Sequence, residues 1–188
     1  IRQLQIEEKP QVAFLKGQDE ADEYETADIR YTLSEKYRIR TKSAADLIND
    51  DSTSILVVAD PNERFGESDK LAIDQFIMKG GRVLWCVDPV YASIDSLMTG
   101  YSTIAFERDL NLRDQLFHYG ARLNADILQD AICMQYPVNT APAGQPTKWT
   151  PAPFYYSPLA TPSPTNIISR NINNVMVEFP SSLESVGE

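Results

Sequence analysis

The chain has 188 residues, 43% of them hydrophobic and 23% charged, with 17 Lys and Arg against 27 Asp and Glu and a net charge of -10. That length is enough to bury a core. The acidic balance argues against nucleic acid and against an anionic membrane surface as ligands, since both require clustered cations. No apolar run approaches the roughly 20 residues that cross a bilayer.

Taken in chain order, Ile1 to Pro10 reads as a polar lead-in, and Val12-Ala13-Phe14-Leu15 as a short buried strand ending at Gly17. Carboxylates from Asp19 to Glu23 suit the positive end of a helix dipole, which predicts a helix over about Asp22 to Lys36. Tyr37 to Arg40 alternates like a strand. Ile55-Leu56-Val57-Val58-Ala59 is the clearest buried strand and closes on Asp60-Pro61. A helix is expected from near Glu67 to Lys79, with Leu71, Ala72, Ile73, Phe76 and Ile77 on its core face and Gly80 as its left-handed stop. Arg82 to Val87 then forms a strand closing on Asp88-Pro89. Two apolar strands separated by a helix make a βαβ crossover, hence a parallel sheet.

Beyond Pro89 the pattern loosens. Leu110 to Tyr119 reads as a helix ending at Gly120. Ile127-Leu128, Cys133 to Val138 and Asn174 to Phe179 read as strands. The segment 137-164 collects most of the prolines together with Trp149, Phe154, Tyr155 and Tyr156. Lost backbone donors argue that it is neither a central strand nor a long helix, leaving an ordered loop pinned by aromatics or a partner-binding segment. The whole, 1-188, is expected to be a single α/β domain, mainly a parallel sheet flanked by helices.

The chemistry on offer is sparse. No Gly-x-Ser-x-Gly elbow is present, and Gly80-Gly81 lacks the Lys-Ser/Thr that follows a phosphate loop. The single histidine, His118, falls in a last helical turn, where it serves terminal carbonyls. Cys86 sits inside an apolar run and reads as core filler. With Cys133 it leaves open two buried thiols or one disulfide. Neither a metal nor a cofactor is expected. Asp60, Asp88, Asp109, Asp126 and Asp130 could converge at one sheet edge and hold a divalent cation through oxygen ligands. The competing expectation is that Asp before Pro shapes a turn and that Asp109 or Asn111 caps the next helix.

Several blocks resemble the GldG family, gliding-motility-associated accessory proteins of ABC transporters in Bacteroidetes. They are Val12-Ala13-Phe14-Leu15 with Gly17 and Glu20, Asp69-Lys70 with Ile73 to Ile77, and Gly80 to Trp85 with Val87-Asp88-Pro89. Asp95-Ser96-Leu97, Arg108 to Leu112, Tyr119-Gly120, Arg122-Leu123-Asn124 and Gln129-Asp130 continue the match. The resemblance implies an extracytoplasmic domain, held in the periplasm by inner-membrane segments outside this fragment and working with a permease and an ATPase. It implies a fold similar to the class I glutamine amidotransferase-like and flavodoxin-like three-layer folds, without a catalytic cysteine elbow. One departure stands out: where the family suggests Gly-His-Gly-Glu after the first strand, this chain has Gly17-Gln18-Asp19-Glu20. The chain opens on Ile1 and stops at Gly187-Glu188, which reads as an excised segment. The resulting expectation is a non-catalytic binding domain with Glu20, Asp60, Asp88, Asp109, Asp130, Trp149 and Tyr155 as its ligand or partner set. A hydrolase or amidotransferase relative, and a glycan- or peptide-binding module using Trp149 and Tyr155, are the alternatives.

Overall fold

A computed structural model describes residues 9-99, 102-142 and 144-187. The expected lead-in at residues 1-10 lies almost wholly outside them. The chain divides into two compact units, one made of Ile1–Pro89, Arg108–Arg122 and Ser185–Glu188, the other of Val90–Glu107 and Leu123–Glu184.

The first unit is built on β1 (Gln11–Leu15), β2 (Arg38–Lys42), β3 (Thr53–Ala59) and β4 (Arg82–Cys86), which form an all-parallel sheet in the order β2-β1-β3-β4. The order dictates where the helices go. A crossover between parallel strands is right-handed. From β1 the chain steps one way to β2, and from β3 it steps the other way to β4. The helices α1 (Ala27–Ser34) and α3 (Glu67–Met78) therefore cover opposite faces, and α2 (Ala44–Leu47), on the path from β2 back to β3, joins α3.

The burial pattern agrees. On the α1 face Val12, Phe14 and Val57 form a core cluster with Leu33, Tyr37, Ile39 and Ile55 against it, and the Arg30 guanidinium lies 4.0 Å from the Phe14 ring centre. Leu56 and Val58 face the other way and are fully buried, as are Leu47, Ile73 and Phe65. At about 25 cal/mol per Å² of apolar area, this two-sided burial is what stabilises the sheet.

Several elements differ from expectation for local reasons. The first helix starts only at Ala27 and buries no residue, because the carboxylates before it build turns instead: Asp22 Oδ1 accepts from the amides of Tyr24 and Glu25. α2 was missed, although Ser43 and Asp46 form a capping box at its start. α5 (Arg113–His118) is shorter than expected, and neither Asp109 nor Asn111 caps it. Its N-cap is Leu112, while Asn111 donates to the Phe65 carbonyl at 3.0 Å and to Glu67 at 2.9 Å. Cys86 is exposed rather than core filler. β4 is an edge strand whose Arg82, Leu84 and Cys86 share an open face. The two cysteines are not joined.

In the second unit β5 (Val90–Tyr91) pairs with β6 (Phe106–Glu107), and α4 (Ile94–Thr99) lies between them in sequence. Ile127-Leu128 is not a strand, and the expected strand at 174-179 contracts to β10 (Val175–Met176). Phe179 ends it with φ 47°, ahead of Pro180. Not confined to that unit, β7 (Ala121–Leu123) and β11 (Leu183–Ser185) make a small ladder of their own.

The largest correction concerns the proline-rich segment. Residues 149-160 form β9 (Trp149–Ala160), the middle strand of an antiparallel sheet between β8 (Cys133–Asn139) and β10. The prolines survive there because of their register. The Thr140 amide donates to the Lys148 carbonyl, so even-numbered residues carry the β8–β9 hydrogen bonds. Pro137 and Pro151 face each other, and Pro153 faces Gln135, all at positions whose amides would point away from the partner. Pro158, beyond a bulge, contributes only its carbonyl, which accepts from the Val177 amide at 3.1 Å. On the β8 side no ladder bond is lost, and on the β10 side only the bond that Pro158 cannot return to Val177 is forgone, so the rule against proline in a central strand is largely evaded here.

Candidate functional site

In an open α/β sheet the ligand crevice opens at the carboxyl ends of the two strands where the order reverses. Here those strands are β1 and β3, followed by Gly17-Gln18-Asp19-Glu20 and Asp60-Pro61-Asn62. The two loops are sewn together. The amides of Asn62 and Glu63 both donate to the Gln18 carbonyl at 2.9 Å, the Asn62 side chain donates to the Asp19 carbonyl at 2.8 Å, and the Ala21 amide donates to the Ala59 carbonyl at 2.9 Å.

Consecutive amides at such a turn make a cradle for an anion. In this chain the anion is internal. Glu20 Oε2 accepts from the amides of Gly17 and Gln18, both at 2.9 Å. Gln18 is buried and donates its side-chain amide to Asp69 at 3.2 Å. Gln18 Oε1 and Glu20 Oε1 are buried without a hydrogen-bond partner.

Asp60, Asp88 and Arg108 form the rest of this crest. Asp60 takes a left-handed φ of 47° ahead of Pro61, and its amide donates to the Cys86 carbonyl, locking β3 to β4. Its carboxylate accepts from Arg108 at 2.7 Å. Partial burial of the carboxyl on an otherwise exposed residue, reinforced by the like charge of Asp60, pushes Asp88 above its ordinary value, while Arg108 pulls the other way. Partial burial of the sulfur, on a residue that is exposed as a whole, and then Asp88, push the Cys86 thiol up as well. A raised thiol is a poor nucleophile at neutral pH.

The predicted site residues thus separate. Glu20, Asp60 and Asp88 lie at the crest. Asp109 pairs with Arg64, and both are exposed, so the contact contributes little. Asp126 and Asp130 belong to the second unit. Asp126 accepts from the amide and hydroxyl of Ser182, which hold its carboxyl below the usual range. Asp130 accepts from the Ile132 amide. No group of three or more His, Cys, Asp or Glu with metal-holding geometry occurs among the described residues. His118 does fall in the last turn, but its Nδ1 lies 2.6 Å from the carbonyl of Asp114, near the start of α5, rather than at the terminal carbonyls expected.

Two features escaped the sequence reading. One is a polar network on α3 and α5. Buried Lys70 donates to both oxygens of Asp114 at 2.9 Å, and Gln115 donates to the Tyr119 hydroxyl at 3.0 Å, which in turn donates to Asp74 at 2.8 Å. Burial, opposed by the Gln115 bond and reinforced by Asp74, pushes Tyr119 up to about 12. The Lys-Asp and Tyr-Asp pairs are 44 and 45 residues apart, beyond any local pattern.

The other is an apolar cavity of about 360 Å³ in the second unit. Phe154, Tyr156 and Phe179 wall it, with Leu97, Ile127 and Thr103. Phe154 meets Phe179 edge-on at 5.7 Å and Tyr136 edge-on at 5.4 Å. A left-handed φ is a genuine outlier for an aromatic residue, so Phe179 is held over this space at a cost. Of the predicted aromatics, Trp149 and Tyr155 are exposed and do not line it. The wall comes from neighbouring positions on the same strand.

A parallel four-stranded sheet flanked by helices, with a polar crest at its carboxyl edge, defines an α/β domain. The chain belongs to the family described as an ABC-type uncharacterized transport system, whose model matches residues 9-188, and the family is an auxiliary component of such a system. Among solved structures, the mmIFT52 N-terminal domain matches with a TM-score of 0.59 and 16% identity, covering 95% of this chain and 69% of that one. At that identity the likeness is one of fold. No match is found among curated proteins.

Proposed function

We propose that this chain is the non-catalytic accessory domain of a membrane-tethered ABC transport subunit, working in the periplasm beside a permease and an ATPase, as the GldG resemblance suggests. The observation that carries this reading is the filled cradle at the switch point. The amides that would receive a substrate anion are satisfied by Glu20, and the loops around them are bonded to each other. A crevice closed by its own backbone supports a scaffold better than it supports a reaction centre. The test is co-purification of the full-length protein with its permease and ATPase. Asp88→Ala and Asp109→Ala chains are expected to stay folded, by circular dichroism, while capturing less of either partner. Unfolding of both variants would instead make these carboxylates structural.

A second reading rests on the aromatic cavity. Its size and three aromatic walls suit a sugar ring or a short peptide side chain, stacked as aromatic faces stack on ligands. Calorimetry with peptidoglycan fragments is expected to show binding that Phe154→Ala weakens by about tenfold or more and Trp149→Ala leaves unchanged. No heat across a panel of glycans and peptides would remove this reading.

A further inference from the structure

The open edge of the sheet carries the inference, independently of the reading above. β4 pairs with β3 on one side only, and among the described residues no strand is bonded to its other side. The Cys86 carbonyl accepts from Asp60, so even-numbered residues of β4 turn their backbone groups toward β3. Val83, Trp85 and Val87 then turn theirs outward, as alternation along a strand requires. The side chains of Arg82, Leu84, Cys86 and Asp88 share one face and are all exposed. An edge of this kind, half apolar and unpaired, invites another strand.

The charges say which strand. Arg82 and Asp88 stand at the two ends of the same exposed row, and neither is in a salt bridge among the described residues. An antiparallel two-fold centred on Trp85 makes the edge complementary to itself. It sets Arg82 opposite the partner's Asp88 and Leu84 opposite the partner's Cys86, each twice by symmetry. The same register makes Val83, Trp85 and Val87 the hydrogen-bonded pairs, which are the residues whose backbone groups already point outward. A register shifted by one residue would oppose inward-facing groups and fail.

The ends match too. Pairing must stop at Asp88, because the Pro89 carbonyl is taken by the Arg108 amide at 2.8 Å. The partner's strand stops at Arg82, where Gly80, at φ 96°, turns the chain away.

The geometry points to a homodimer formed by antiparallel β4-to-β4 pairing, which joins two sheets into one across a two-fold axis at Trp85. Opposed charges in non-hydrogen-bonded pairs lie close, and each contributes in this setting.

Sedimentation of the chain tests this. The wild type is expected to populate a dimer of twice 21.1 kDa. Arg82→Glu or Asp88→Arg alone is expected to weaken it by about tenfold or more, since each creates two like-charge contacts. The double exchange, Arg82→Asp with Asp88→Arg, is expected to restore it. Leu84→Cys sets a thiol opposite the partner's Cys86, near the spacing a disulfide spans. Oxidation is therefore expected to give a covalent dimer that disappears in the Cys86→Ser background. A monomer at about millimolar concentration overturns the proposal, whether the edge is then left open or serves another protein. A dimer that neither cross-links at Leu84→Cys nor recovers in the double exchange overturns it equally.

Discussion

Replacing Phe65 by alanine is expected to cost the first unit about 3–5 kcal/mol, the range for deleting a fully enclosed aromatic side chain. Phe65 lies in the connection between β3 and α3 and has no exposed surface. Its amide donates to the Leu110 carbonyl at 3.1 Å, and its own carbonyl accepts from Asn111. Those bonds join the β3–α3 connection to the segment that returns at Arg108. The ring must therefore fill space that neither segment closes alone. Denaturant titration should show the midpoint falling with the slope unchanged, because the surface exposed on unfolding stays nearly the same. A loss below about 1 kcal/mol would mean that the site collapses around the deletion and that Phe65 is not a keystone of the core.

The second large effect concerns Asp50. Its carboxylate accepts from Lys42, from the amide and hydroxyl of Ser52 and from Thr53, while Gln11 donates to Ser52 and Thr53. The Lys42 and Asp50 side chains are 19% and 12% exposed, so this is a shielded pair. Burial works to raise the Asp50 carboxyl, but the hydrogen bonds from Lys42, Ser52 and Thr53 outweigh it and hold the group well below the ordinary carboxylate range. A carboxylate depressed in the folded state adds stability that is present above its unfolded value, near 4, and is lost as pH falls through the folded one. Asp50→Ala is therefore expected to cost about 2–4 kcal/mol at neutral pH, since it leaves Lys42 shielded and unpaired. The gap between variant and wild type should shrink as the solution is acidified below about pH 4. A gap that stays constant down to about pH 2 would show that the ionised carboxylate is not what matters.

Much of the first unit was legible because its strands are short apolar runs closed by turn residues. Val12 to Leu15, Ile55 to Ala59 and Arg82 to Val87 all fall on observed strands, and Asp-Pro marked the ends of two of them. The parallel pairing of β3 with β4 followed from the helix between them. Strand order was not legible, because nothing local says that β1 lies between β2 and β3.

The exposure of Cys86 was missed for the same reason. An apolar run reads alike in a central strand and in an edge strand, and only the order reveals which one keeps an open face. The second unit was harder, since prolines usually announce loops. The spacing at 151 and 153 contained part of the answer, for positions two apart on a strand share a direction and can both point away from a partner, whereas Pro158 depends on a bulge that no spacing announces. The candidate site was half legible. The carboxyl-edge acids Asp60 and Asp88 were found by position, and Glu20 only through family resemblance. Its bonds to the amides of Gly17 and Gln18 depend on a turn that no periodicity encodes. Phe154 and Tyr156 were named with Trp149 and Tyr155 but left out of the expected site, because alternation along a strand separates the two faces without saying which one turns toward the cavity.

The accessory role rests on the family and on a switch-point crevice closed by the chain itself. The most direct measurement is affinity purification of the tagged full-length protein from detergent-solubilised native membranes, followed by quantitation of what comes with it. The permease and the ATPase are expected in stoichiometric yield with the wild type and in reduced yield with Asp88→Ala. Recovery of the protein free of both, from membranes in which both are present, would contradict the account.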